Sequence, residues 1–210
     1  MNTPTFLPDI VKKSFLKVTP AGCYHAVESG EPTIVRMLLQ QILSTAVTPT
    51  FSDFTNSEQQ SILTLAESGF LGFDSTHTTL PGGNLSELLP QVLPALSERQ
   101  RVVLSEARQG LFIDYVGVSR DQAEEIAALA ASLRSLSEGH VGLLTEQLST
   151  PSLAFGVIDP AGNSDIGFWP LHIADKVFTL TILGIPRLNA VEFRLLVWAL
   201  IERYGADNQR

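Results

Sequence analysis

The sequence predicts an α+β protein in two parts, residues 1–83 and 84–210, and three observations carry that prediction. From Leu85 onward, apolar residues recur at helical spacing, then alternate in five short runs, then return to helical spacing, which gives the order α-β-β-α-β-β-β-α. Leu80-Pro81-Gly82-Gly83 interrupts the chain ahead of that pattern, and Pro-Gly-Gly is strong punctuation. The 210 residues are 44% hydrophobic and only 17% charged, enough apolar material to offset the entropy of ordering one large domain or two small ones.

In the N-terminal part, Ile34, Met37, Leu38, Gln41 and Ile42 predict a first helix across Thr33 to Ser44, and Glu31-Pro32 suits its start. Pro49 then breaks the chain, and TFSDF predicts a short helical turn. Thr55-Asn56-Ser57-Glu58 opens a second helix with Ile62, Leu63, Leu65 and Ala66 inside it, and Gly69 closes it ahead of a strand pair. Helix, short helix, helix and strand pair, with ILTLAESGFLGF at the last junction, resemble a winged helix whose third helix enters its wing. That likeness would imply DNA recognition, but Ser57 to Ser68 carries Glu58 and Glu67 and neither Lys nor Arg. An adaptor or packing module is the expectation.

In the C-terminal part, Leu85, Leu88, Leu89, Val92, Leu93 and Leu96 predict a helix that Pro90 and Pro94 shorten or kink. RVVLSEARQGLFIDYVG predicts a hairpin turning at Glu106 to Gly110. Ser119 and Gln122 form a capping-box start for a helix running from Asp121 to about Leu148, with Gly139 and Gly142 as interruptions. Its apolar residues cover about half the circumference, wider than the ~100° stripe that one core needs, and its alanines permit close approach of another helix. Strands are expected at Leu153 to Asp159, Ile166 to Ile173 and Lys176 to Gly184, with Asp159-Pro160-Ala161-Gly162-Asn163 as the first turn. Alternation puts Phe168 and Trp169 on opposite faces, so one of them belongs to the core. A final helix runs from Asn189 to Gly205.

That order, the strand GLFIDYVG, the alanine-rich AEEIAALAASLRSL and the closing strand, turn, strand, turn, strand and helix together resemble the roadblock / dynein light chain domain over about residues 85 to 204. The resemblance implies a five-stranded antiparallel sheet between helices, pairing with a second such domain through the long helix and the adjacent strand. It also implies a dimeric scaffold or regulator of a small Ras-like GTPase. The contact residues implied are Leu129, Ser132, Leu133 and Leu136 on the helix and Leu153 and Phe155 on the strand. Pro90, Pro94 and the N-terminal part depart from the simplest members.

Chemistry is sparse. A single Cys23 can neither form an internal disulfide nor supply a zinc cluster, so the cytoplasm is the default expectation. MNTPTFLPDIVKKSF does not read as a signal peptide, and the longest apolar runs fall short of the roughly 20 residues of a membrane span. His25, His77, His140 and His172 show no metal-ligand spacing, and there is no GxSxG elbow, P-loop or dinucleotide fingerprint. Glu124-Glu125 reads as a solvated face. Residues 1–83 carry four basic and seven acidic groups and residues 84–210 ten and fifteen, for a net charge of -8, so polyanions are poor partners. The expectation is a non-enzymatic binding protein with no catalytic residues, cofactor or metal. The alternatives are a winged-helix transcriptional regulator whose C-terminal domain dimerises or senses a ligand, and an enzyme with an unfamiliar site.

Overall fold

The computed structural model describes residues 13–81, 84–140, 147 and 154–205, and shows a mixed α+β chain with six helices and a five-stranded antiparallel sheet. The N-terminal part opens with strand β1 (Phe15–Val18) and helix α1 (Pro20–Val27), neither of which the sequence pattern announces. Thr19 caps α1 by accepting the Gly22 N–H, and Pro20 occupies the first turn, where its missing N–H costs nothing. Helix α2 (Ile34–Leu43) follows where expected, capped by Thr33. Phe51–Asp53 makes the short 3₁₀ turn, and α3 (Asn56–Glu67) starts on a full capping box between Thr55 and Glu58. The expected strand pair after α3 is corrected. One strand, β2 (Leu71–Asp74), follows α3, and its antiparallel partner is β1, upstream of every helix.

The C-terminal part begins with α4 (Leu85–Val92), which absorbs Pro90 but tightens into a 3₁₀ turn over Leu93–Leu96, where Pro94 forbids continuation. Strands β3 (Arg101–Glu106) and β4 (Leu111–Val116) form the hairpin, with Gly110 at φ +65° against Ala127 and Ala128 of α5 (Arg120–Gly139). Of the two interruptions expected in that helix, Gly139 and Gly142, the structure uses the first. The helix ends at Gly139, with the His140 N–H returning to the Ser137 carbonyl, and nearly all of the remaining stretch lies outside the described residues. Strands β5 (Phe155–Ile158), β6 (Ser164–Ile173) and β7 (Lys176–Leu183) complete the sheet, and α6 (Val191–Tyr204) closes the described chain.

The strand order is β4-β3-β7-β6-β5. Strand β7 lies at the centre and is buried at six consecutive positions, Val177 to Ile182, because both of its faces are covered. Alternation sends Val102, Leu104, Leu171, Phe178, Leu180 and Ile182 to one side, where α4, α6 and the whole N-terminal part join them in a single apolar core. Val103, Ser105, Phe168, Thr179 and Thr181 face the other way, toward Ala123, Ala127 and Ala130 of α5. Phe168 and Trp169 do point to opposite faces. Phe168 is buried on the α5 side, whereas Trp169 folds back over Gly167 and packs half-buried against the main core.

The two parts share that core. Helix α1 packs on α6 and β6, and α2 packs on α6. Eight residues of α6 are buried between sheet and N-terminal helices, among them Trp198, whose indole N–H donates to the Thr45 carbonyl at 2.7 Å. The N-terminal part therefore sits on the α6 side of the sheet and leaves the outer face of α5 uncovered.

Candidate interaction surface

Helix α5 meets its own sheet through a narrow line of small residues, Ala123, Ala127, Ala130 and Ser137. That line explains why its apolar surface is wider than its sheet requires. The remaining apolar residues look outward: Leu129 is 48% exposed and Leu136 56%, with Ser132 exposed and Leu133 half-buried beside them. Four of the six expected contact residues thus share one outward stripe at i, i+3, i+4 and i+7 spacing.

Phe155 lies half-buried on β5 and lines, with Leu133, a cleft between α5 and the sheet. Leu153 lies outside the described residues. Two neighbours on β5 went unforeseen: Val157 is 56% exposed and Ile158 67%. Among the described residues, strand β5 is an edge that pairs with β6 and with no other strand, which leaves one row of its backbone groups without a ladder partner there. Leu133 and Phe155 border one cleft, so the helix stripe approaches β5 there, while Leu129 and Leu136 add exposed apolar surface on the helix and the β5 edge adds open hydrogen-bonding groups.

The cleft has a volume of about 60 Å³ and apolar walls of Ala130, Leu133, Phe155, Phe168 and Pro170. Its polar lining is Arg134, Ser137, Glu138, His172 and Thr179. Burial holds the His172 imidazole down to about pKa 4, helped by the positive charges of Arg134 and Arg36 and opposed by Glu138. His172 is therefore neutral near pH 7. The sequence pattern places His172 only in a strand. Its alternation with Phe168 and Pro170 on β6 is a usable signal, but Arg134 reaches it from a helix whose packing the sequence does not specify.

Cys23 and His25 each have a structural setting. Cys23 is buried and its thiol is pushed far up by desolvation, which makes it a poor nucleophile. His25 stacks on Phe70 at 4.9 Å and pairs with Glu28 at 2.6 Å. Among the described residues, no group of three or more His, Cys, Asp or Glu side chains is placed to hold a metal ion, and no helix is long and apolar enough to cross a membrane.

Fold and surface together define a mixed α+β protein that, among the described residues, carries an exposed helix face on α5 and an open sheet edge at β5. No protein-family model matches the chain, and no curated protein matches it significantly. The functional reading therefore rests on its own residues.

Proposed function

We propose that the chain is a non-enzymatic interaction protein that pairs with a second copy through α5 and β5, and that the dimer is a scaffold or regulator of a small Ras-like GTPase. One observation carries the pairing: Leu129 and Leu136 stay about half exposed on the outward stripe of α5, and Val157 and Ile158 are exposed on the edge strand β5. Single exposed leucines are ordinary, but an apolar stripe along a helix face, in a chain that also carries an open strand edge, favours association. An isologous contact suits it, because a helix face meets its own copy around a two-fold axis. The GTPase half follows from the likeness of residues 85–204 to roadblock / dynein light chain domains. The α-β-β-α-β-β-β-α order and an antiparallel sheet with helices on both sides support it. Fold likeness is a weaker warrant than a site. Winged-helix likeness in the N-terminal part adds a second contact surface, on the side of the sheet away from α5.

Sedimentation at micromolar concentration tests the pairing, and affinity capture from the native cytoplasm followed by a nucleotide-dependent binding assay tests the partner. A monomer that captures no GTPase refutes the reading.

A further inference from the structure

We draw no further inference here: the strongest candidate, the groove between α2 and the β6–β7 turn lined by Met37, Gln40, Ile173, Ala174 and Ile201, is an unpartnered surface, and nothing in the structure shows what covers it.

Discussion

The joint between the two parts is expected to make the chain one cooperative unit, and Trp198→Phe tests it. Trp198 is 1% exposed, donates to the Thr45 carbonyl and lies under the Arg194 guanidinium, 5.7 Å from its ring. Phenylalanine keeps the aromatic body but removes the donor, at about 1 kcal/mol for a hydrogen bond to a carbonyl on an exposed residue that water can then reach. The smaller ring leaves a void and a weaker cation–π contact, for about another 1 kcal/mol together. The loss of about 2 kcal/mol corresponds to a urea midpoint lowered by roughly 1 M at an ordinary slope for a domain of this size. The substitution also leaves Trp169, on β6, as the sole tryptophan, so its fluorescence follows the sheet while far-ultraviolet circular dichroism follows every helix. One coincident transition, shifted as stated, is expected. Two separated transitions, or an unmoved Trp169 transition, would falsify the shared-core account.

Three further outcomes are expected. Leu136→Asp raises the dimer dissociation constant at least about tenfold in sedimentation, yet changes monomer stability by no more than about 0.5 kcal/mol, because the position is half exposed. Gly22→Ala costs about 2 kcal/mol or more in chemical denaturation, since a methyl there overlaps the Phe70 carbonyl oxygen and meets Val18 Cγ1 at 2.9 Å. Stability falls with acid between about pH 6.5 and pH 4, because the unfolded His172 binds a proton in that window that the folded residue refuses. Allowing for partial exposure, this amounts to about 1 to 2 kcal/mol, and His172→Asn flattens that part of the stability curve.

Much of the fold was legible because local chemistry and tertiary packing agree. Ser119 with Gln122 and Thr55 with Glu58 mark helix starts that the structure uses, and the run VFTLTIL of β7, apolar but for two threonines, suits a strand covered on both faces. β1 and α1 escaped notice for a physical reason. FLKV is four residues long, and PAGCYHAV has almost no amphipathic rhythm, because it is held between Phe70 and α6 by close contact at Gly22 and not by a single apolar stripe. On the candidate surface, Leu129 and Leu136 could be found because helical period exposes them together. Val157 and Ile158 could not, because their exposure depends on β5 being an edge, and strand order is absent from alternation. Arg134 and His172 come to border one cleft only once α5 packs over β4, β3 and β7.

The central position of β7 also sets a timetable. The sheet consists of two hairpins, β3 with β4 and β5 with β6, and neither touches the other until β7 enters between them. Arg101 then meets Leu183 and Ile166 meets the same residue from the opposite side, so the last strand of the sheet closes contacts reaching back past the whole of α5. During synthesis the first hairpin emerges with its inner edge unpaired and waits for the ribosome to release residues 176–183. Such long-range closure makes folding slow and leaves an adhesive edge in the interval. A chain interrupted between β6 and β7 is therefore expected to aggregate as two sticky half-sheets, whereas one interrupted after α6 has every strand it needs to close the sheet.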